Sequence, residues 1–341
     1  MEKLKVGVAG LGHGGTLLQA NTAAGSHLRL RVTAVCDTDG ARAREAGERY
    51  GVPFVTTDFA ELVARPELDV IGIYTPGPLH AAQILAALDA GKHVIVTKSM
   101  VYSMAEVEQV VEAVDRTGLV LLVSQSLRGR LDFMEAKRAC DAGEIGAPYL
   151  AESHYIHDLR PVYDYSPWRV QMPQDLILGG ACHPIDLLRW FMGDIEEVHC
   201  YGQRSGLAPE YPREDNFVIN VRFASGRIGR IANYLGVVEP PGEVMNELTV
   251  YGTRGVLRNA RKRVEGDGYL PARDSEVSFT SKLPLGHHQE MLVMMAHLAE
   301  CILDGNTPWV GVREGARVVA TGLACWESLR SGAPVKVRNE F

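Results

Sequence analysis

A glycine-rich turn directly after a short apolar segment is the feature that most limits what this chain can fold into. Residues 5–9 (Lys-Val-Gly-Val-Ala) form a predicted first strand, and residues 10–15 (Gly-Leu-Gly-His-Gly-Gly) follow it as G-x-G-x-x-G. The glycines permit a tight turn, a close approach of a pyrophosphate and packing of the next helix, whose N-terminus attracts phosphate. The turn therefore predicts dinucleotide contacts from Gly10, Leu11, Gly12, His13, Gly14 and Gly15.

A carboxylate follows the second predicted strand. Asp37 comes directly after residues 28–36 and 22 positions after Gly15, where a dinucleotide fold places the acid that binds the adenosine ribose hydroxyls. The alternative is that Asp37 only begins the turn 37–40. A carboxylate there repels the 2′-phosphate of NADP, so NAD is the expected cofactor and NADP the less favoured one. Arg42 and Arg44 follow closely and could accommodate that phosphate.

Composition limits the class of protein. The chain has 341 residues, enough for two domains, with 46% hydrophobic and 23% charged residues, as in ordinary soluble proteins. A net charge of −7 argues against nucleic acid as a partner, and no apolar run is long enough to span a membrane. The six cysteines lack C-x-x-C spacing and no apolar signal region precedes the first strand, so we expect reduced thiols and a cytoplasmic location.

The pattern of predicted elements changes near residue 123. Before it, strands and helices alternate, with helices at 15–24, 40–50 and 104–117 among them, which predicts a doubly wound parallel sheet covered by helices on both faces. After it, several strands come in succession, a helix is predicted at 184–192, and alternation in 216–223 predicts antiparallel pairing with one buried face. The predicted fold is α/β, with a dinucleotide-binding Rossmann domain at 1–123 and an α+β domain at 124–341 for substrate binding and oligomerisation. Because its open, mostly antiparallel sheet needs a cover, we expect a homodimer or homotetramer through that sheet.

Two further segments lie where ligands bind in such sheets, beyond the carboxyl ends of the strands. Thr75, Pro76 and His80 follow the predicted strand 69–74, and Lys98 follows 93–97. A partly desolvated lysine beside a nicotinamide could hold or protonate a substrate oxygen. A solvated lysine at a strand end is the alternative.

Together these segments resemble the Gfo/Idh/MocA family of NAD(P)-dependent sugar and inositol oxidoreductases. The resemblance extends over nearly the whole chain and implies a Rossmann domain followed by an α+β domain whose open sheet is often an oligomer interface. The matching segments, in chain order, are 10–15, 75–80, 86–94, Lys98, 141–146, 180–190 and 250–256.

The family motif Glu-Lys-Pro stands here as Thr97-Lys98-Ser99. The resemblance implies that Lys98 binds the reacting hydroxyl, contacts the cofactor region and supports proton transfer. The replaced glutamate and proline imply altered nicotinamide contacts and backbone geometry beside it.

The second family motif, Asp-x-x-x-His-x-x-Asp, keeps His183 and Asp186 but has Gly179 in place of the first acid. An imidazole can accept a hydroxyl proton, so the resemblance implies that His183 is the general base. Asp186 would orient it or bind sugar hydroxyls. The alternatives are a capping histidine and a buried carboxylate at a helix start. Gly179 removes the acid that relatives carry one helical turn before the histidine.

Further polar residues are predicted substrate contacts, because aromatic faces and forked donors suit polyhydroxylated ligands and arginines also suit a carboxylate or phosphate. Each is as often a surface residue. They are Arg128, His154, His157, Trp168 and Arg169. A metal site is a further alternative, for which the candidate ligands are His154, His157, Cys182, His183, His287 and His288. No H-E-x-x-H or C-x-x-C spacing supports it, so no metal is predicted.

The predicted activity is hydride transfer between a nicotinamide and a secondary hydroxyl or ketone of a sugar, sugar derivative or inositol. A redox-neutral enzyme that oxidises a glycoside transiently, eliminates or hydrolyses it and reduces it again is a second possibility, for which Gly179 leaves room. A non-enzymatic, dinucleotide-bound regulator is a third, against which the retention of Lys98 and His183 speaks.

Overall fold

The computed structural model describes residues 3–24, 28–242, 244–265, 273–276 and 287–341. The described residues form two compact units. The first lies within 1–130 and 281–316 and includes Phe341, and the second lies within 131–280 and 317–340. Both units therefore draw on segments from the last fifth of the chain.

Fifteen strands occur among the described residues, and they form two separate sheets. In chain order they are β1 Leu4–Ala9, β2 Leu30–Cys36, β3 Phe54–Thr56, β4 Val70–Ile73, β5 His93–Thr97, β6 Leu121–Ser124, β7 Pro148–Ile156, β8 Ile195–Gln203, β9 Asn216–Phe223, β10 Ile228–Tyr234, β11 Asn246–Gly252, β12 Gly255–Arg258, β13 Arg261–Val264, β14 Arg273–Glu276 and β15 Val335–Lys336.

Eleven α-helices accompany them in the described part of the chain, and a single π-helical turn, Ile177–Ala181, precedes the ninth. The helices are α1 Gly15–Ala24, α2 Gly40–Tyr50, α3 Phe59–Val63, α4 His80–Asp89, α5 Met104–Thr117, α6 Leu131–Asp141, α7 Arg160–Tyr165, α8 Trp168–Gln171, α9 Cys182–Met192, α10 His287–Asp304 and α11 Val312–Ser331. No helix of the described residues is long and apolar enough to cross a bilayer.

The first unit contains a six-stranded sheet in the order β3-β2-β1-β4-β5-β6, with every pair parallel. This order confirms the predicted doubly wound Rossmann sheet. The strand order reverses between β1 and β4, and the crevice at their carboxyl ends is the ligand position of such sheets. The glycine turn and the segment that begins at Tyr74 start at that crevice. The three-residue β3 was not predicted, since so short a strand has too few positions to show a period.

Helix α10 belongs to the core of the first unit, although the predicted boundary at 123 assigns it to the second domain. Met291, Met294, Met295 and Leu298 are buried in one apolar cluster with β1 and α1. Their spacing of three and four residues forms one apolar stripe along α10. Such a stripe predicts a buried helix face, but it carries no information about which sheet covers it.

The second unit contains a nine-stranded sheet in the order β14-β13-β12-β11-β7-β10-β9-β8-β15. Only β7 and β10 pair in parallel, so the predicted, mostly antiparallel sheet is confirmed. Helix α9 packs against β7, β10 and β11 and covers one face of the sheet. The predicted helix at 184–192 begins two residues earlier, at Cys182. Helices α7 and α8 and strands β12 to β15 are additional to the predicted elements.

Candidate functional site

The four glycines of the turn divide into two pairs. A Cβ on Gly10, whose φ is +85°, would lie 2.6 Å from the backbone of Tyr74, and a Cβ on Gly14 would overlap the Gly10 carbonyl oxygen. A Cβ on Gly12 or Gly15 would have no heavy atom within 4 Å. Gly10 and Gly14 thus let the turn close, whereas Gly12 and Gly15 leave room for a ligand at the start of α1. The residues present therefore fit a dinucleotide pyrophosphate.

Alanine substitutions should separate these two roles. We expect Gly12→Ala to leave thermal unfolding unchanged and to weaken NADH binding by about 10-fold or more, because the methyl group enters the space open to the pyrophosphate. Gly14→Ala should instead lower the free energy of unfolding by about 1–3 kcal/mol, because the added methyl group overlaps backbone. Calorimetry and titration of NADH fluorescence measure both. Unchanged NADH binding in Gly12→Ala would contradict this assignment.

Asp37 joins the end of β2 to the glycine turn. Its side chain is 6% exposed, and its Oδ2 accepts the Leu11 N–H at 2.8 Å while Oδ1 accepts the Asp39 N–H at 2.9 Å. Arg42 Nη1 lies 3.3 Å from both carboxylate oxygens. The helix-capping role falls to Asp39, whose Oδ1 accepts the N–H groups of the first turn of α2. Asp37 thus does more than start a turn, and its carboxylate lies where a ribose-binding acid is expected.

Replacing Asp37 with alanine should change cofactor selectivity. Charge-assisted hydrogen bonds contribute about 1.5–3 kcal/mol each, so we expect NAD affinity to fall about 10- to 100-fold. NADP should lose much less, because the repulsion of its 2′-phosphate disappears and Arg42 remains. Titration calorimetry with both dinucleotides measures the ratio. Asp39→Ala is the matched control: it should cost about 1 kcal/mol of stability through the lost cap and leave the ratio unchanged. Equal losses for NAD and NADP in Asp37→Ala would mean that Asp37 does not contact the ribose.

His80 connects the loops that follow β4 and β5. Its Nε2 lies 2.9 Å from the Thr75 carbonyl oxygen and its Nδ1 lies 2.8 Å from the Ser99 carbonyl oxygen. The ring is only 1% exposed, and burial lowers its pKa although these carbonyls act in the opposite direction. These contacts give His80 a structural role beside Thr75, Pro76 and Lys98, whereas a direct contact with the cofactor stays a prediction.

Lys98 follows β5 and is half-buried between the buried residues Thr97 and Ser99. The Lys98–Ser99 peptide bond is cis. In the sheet register Thr97 pairs with Ser124, so the residues after β5 and β6 emerge at the same edge. Lys98 therefore lies at the carboxyl edge of the Rossmann sheet, as predicted for a group at the reacting end of the cofactor.

Gln125 is a candidate that sequence reasoning missed. It follows β6 at this edge, is 1% exposed, and its Oε1 has no hydrogen-bond partner among the described residues. A buried amide oxygen normally has a donor, so this atom indicates a place where a ligand group could donate. A glutamine after a strand has no sequence pattern that distinguishes it from an ordinary loop residue.

Arg128 has a structural partner in the first unit. It is 6% exposed, and its Nη1 donates to the Trp309 carbonyl oxygen at 2.9 Å. His297 contacts the same residue: it stacks on the Trp309 indole with ring centroids 3.8 Å apart, and its Nε2 accepts the backbone N–H of Trp309 at 2.9 Å. The contact seen for the Arg128 side chain is with the backbone of Trp309, so a contact between Arg128 and substrate stays a prediction.

This arrangement predicts loss of stability in mild acid. Burial lowers the pKa of His297 below 6.5, and its Nε2 must be unprotonated to accept the Trp309 N–H. Because the unfolded chain then binds more protons, stability is present above pH 6.5 and falls as the pH drops below it, by up to about 1.4 kcal/mol per pH unit. Unfolding followed by circular dichroism from pH 7.5 to 5.5 tests this. His297→Gln should show a smaller pH slope, and an equal slope would contradict the assignment.

In the second unit, His183 lies in the first turn of α9 against the ring of Tyr155 from β7. The two rings meet edge to face with centroids 5.3 Å apart. Burial raises the pKa of Tyr155 to about 12, while the positive charge of Arg169 acts in the opposite direction. The Tyr155 hydroxyl therefore stays protonated beside His183 and lies within electrostatic reach of a cation.

Asp186 lies one turn after His183 on α9 and is 1% exposed. Positions three apart on a helix share a face, so the structure keeps the two residues adjacent. The acid nearest to Gly179 in sequence, Asp175, is engaged elsewhere: its Oδ1 accepts the N–H groups of Ile177 and Leu178, and its Oδ2 accepts the Trp326 indole N–H at 2.7 Å. Asp175 therefore does not replace the missing first acid of the motif.

The space in front of Gly179 is filled by a carboxamide. A Cβ on Gly179 would overlap Gln174 Nε2 and would lie 3.0 Å from Gln174 Cδ. Arg169 Nη1 donates to Gln174 Oε1, and the Arg169 guanidinium carbon is 4.7 Å from the centre of the Trp168 ring. The structure thus brings Trp168 and Arg169 together with Gln174, and a neutral amide occupies the space into which an acid at 179 would extend.

The two histidines on and after β7 that were predicted to contact substrate, His154 and His157, lie in different places. The His157 ring lies 6.2 Å from the Tyr155 ring, and its Nδ1 is 2.9 Å from Glu239 Oε1. His154 alternates with Tyr155 along the strand and so points to the opposite face, where its Nε2 is 2.8 Å from the Val244 carbonyl oxygen. The structure therefore brings His157, but not His154, to the side of His183.

No group of three or more histidine, cysteine or acidic side chains within the described residues could hold a metal ion. The side chains of His287 and His288, which belong to the sequence-based metal alternative, lie outside the described residues.

Comparison with known proteins agrees with this architecture. Residues 4–125 match the family model described as "Oxidoreductase family, NAD-binding Rossmann fold", and residues 137–337 match "Oxidoreductase family, C-terminal alpha/beta domain". The chain belongs to the Gfo/Idh/MocA oxidoreductase family, which confirms the resemblance. Its first unit therefore carries an NAD-binding Rossmann domain.

Three similar proteins illustrate the family. An inositol 2-dehydrogenase of Rubrobacter xylanophilus is 30% identical over 98% of this chain and 94% of its own length. The scyllo-inositol 2-dehydrogenase (NAD(+)) of Bacillus subtilis is 25% identical over 90% of this chain and 89% of its own length. A levoglucosan dehydrogenase solved with NADH and levoglucosan superposes with a TM-score of 0.88 at 21% identity, over 99% of this chain and all of the other. That structure supports the fold alone.

Proposed function

We propose that this protein oxidises a secondary hydroxyl of a sugar, sugar derivative or inositol with NAD, or reduces the corresponding ketone. The observation that carries the proposal is Lys98, retained at the carboxyl edge of the Rossmann sheet that also bears the glycine turn. The relatives named as inositol dehydrogenases support the substrate class.

Each retained residue has a chemical role in the proposal. When bound, the nicotinamide accepts a hydride from the carbinol carbon. Lys98 binds the carbinol oxygen and stabilises the charge that develops on it, and His183 accepts the hydroxyl proton, so that a ketone and a protonated imidazole result. Asp37 favours NAD over NADP through its ribose contacts. In the direction of reduction, His183 returns the proton to the oxygen.

The experiment is a panel of sugars, polyols and inositols, each tested with NAD and with NADP. The measurement is the absorbance of the reduced nicotinamide that forms. We expect at least one polyol or sugar to support NADH formation, and NAD to be preferred. If none supported reduction of either dinucleotide while NADH bound, the dehydrogenase proposal would fail.

A second candidate activity is redox-neutral glycoside processing, and Gln174 in the space before Gly179 is the observation that favours it, because the usual acid is missing. Turnover of a glycoside without net NADH would support this candidate, whereas stoichiometric NADH from a free polyol would exclude it. A dinucleotide-bound regulator would show neither.

We also propose that a second copy of the chain covers the open face of the second sheet. Tyr201, Val218 and Ala232 are direct partners across β8, β9 and β10, so their side chains share one face, and Tyr201 is 59% exposed. Light scattering of the purified protein should give a dimer or tetramer mass, and Tyr201→Asp should lower it. The six cysteines, all free thiols, support the proposed cytoplasmic location.

A further inference from the structure

The region around Gly179 points to the charge of the substrate. Position 179 is one helical turn before His183, and it contributes no side chain. The group that fills its space is the carboxamide of Gln174, which carries no net charge. A substrate group that approaches this part of the second unit therefore meets no carboxylate from position 179.

A guanidinium is fixed at the same place. Arg169 donates through Nη1 to Gln174 Oε1 and lies against the Trp168 ring. The backbone supports this pair, because the Gln174 N–H donates to the Arg169 carbonyl oxygen at 3.0 Å and the Tyr211 hydroxyl donates to the Gln174 carbonyl oxygen at 2.5 Å. Stacking on an aromatic ring and a bond to a neutral oxygen orient the planar fork of the guanidinium without neutralising its charge.

This cation acts on the residues around His183. The charge of Arg169 opposes the rise in the pKa of Tyr155, and the Tyr155 ring contacts His183 edge to face. Arg169 is therefore within electrostatic reach of a residue that contacts His183, and Gln174, which it binds, fills the space one helical turn before His183. A guanidinium fork matches the two oxygens of a carboxylate and binds them through paired hydrogen bonds.

We propose that Arg169, oriented by Trp168 and Gln174, binds a carboxylate of the substrate, so that the preferred substrates are polyhydroxylated acids rather than neutral sugars or polyols. The inference rests on the proposed dehydrogenase function and narrows its substrate class. Gln174 acts through Arg169 and is a positioning residue, and Gly179 leaves the space that Gln174 needs.

The test compares acids with their neutral counterparts on the full-length protein. The probes are D-gluconate against D-glucitol and D-glucuronate against D-glucose, each with NAD. We expect kcat/KM for the acid to exceed that for its neutral partner by about 10-fold or more. Calorimetric titration of each probe into the NADH complex supplies a binding readout that does not depend on turnover.

Two variants test the assignment to residues. Arg169→Met should lower kcat/KM for the acids by about 10- to 100-fold and change that for the neutral probes by less than about 3-fold. Gln174→Glu is nearly isosteric and should have the same selective effect, because its carboxylate neutralises Arg169 and repels the substrate acid. Arg204→Lys, which changes an exposed arginine that donates to the Pro209 carbonyl oxygen, is the control and should change neither. NADH affinity should be equal in all four proteins.

The outcomes separate this inference from the proposed function. Neutral polyols oxidised as well as or better than their acids, or equal losses for both classes in the two variants, would overturn the carboxylate assignment and leave the dehydrogenase intact. If the acids bound selectively to the wild-type protein but not to Arg169→Met, the carboxylate site would be supported. If those bound acids were not turned over, the dehydrogenase proposal would fail separately. If no acid bound and no acid was turned over, the inference would be overturned.

Discussion

Replacing Lys98 with methionine should lower kcat by about 10²- to 10⁴-fold, because the proposed reaction loses the group that holds the carbinol oxygen and supports proton transfer. Methionine keeps the length and apolar stem of lysine and removes only the ammonium, so β5 and its buried neighbours Thr97 and Ser99 should stay in place. The measurement is steady-state NADH formation on the best substrate of the panel, together with the dissociation constant of NADH from fluorescence titration. That constant should change by less than about 3-fold, since the contacts predicted from the glycine turn and Asp37 to the pyrophosphate and ribose remain.

Two comparisons make the Lys98 result specific. Lys336→Met removes an exposed ammonium that pairs with Glu196 at 2.8 Å in the second unit, and it should leave kcat unchanged. Lys98→Arg keeps the charge but replaces a compact ammonium with a wider fork, and it should recover only part of the activity. Full activity in Lys98→Met would contradict the catalytic role and would support the alternative, in which Lys98 is a solvated lysine at a strand end. Lost turnover with intact NADH binding would also remove the regulator alternative.

The Rossmann sheet could be predicted from the sequence because its signals are local and repeated. Apolar strands, a glycine turn and capped helices recur with short connections, and the structure places α1, α2 and α5 at the predicted residues. Asp39 and Ser103 cap α2 and α5 with side-chain oxygens, which is the signal that fixes where such helices begin. The predicted first strand at 5–9 likewise lies within β1, Leu4–Ala9.

The location of α10 could not be predicted from the same kind of signal. Its methionine stripe predicts a buried face, but its distance in sequence from β1 and α1 gives no indication that it completes their core. The face of the sheet to which His154 points could not be predicted for a different reason. Alternation along β7 shows that His154 and Tyr155 point to opposite faces, but only the packing of α9 shows which face carries His183.

The altered half of the candidate site depends on geometry that sequence spacing hides. The motif comparison shows that an acid is missing at Gly179, but it does not show what occupies the space. The π-helical turn Ile177–Ala181 precedes α9, and Gln174 folds back over Gly179 from the segment before that turn. Because Gln174 also accepts a hydrogen bond from Arg169, an amide and a guanidinium lie where the family motif has a carboxylate.

Replacing His183 with alanine should lower kcat by about 10²- to 10⁴-fold, the usual contribution of a positioned general base. Added imidazole should restore part of the activity by entering the space that the ring leaves beside Tyr155 and Asp186. Rescue separates proton transfer from helix capping, because a free base can accept a proton but cannot restore the start of α9. The measurement is kcat as a function of imidazole concentration, with NADH affinity and thermal unfolding followed in parallel. A variant that kept its activity to within about 3-fold, or lost it without any rescue while its unfolding temperature fell, would assign His183 to the helix start instead.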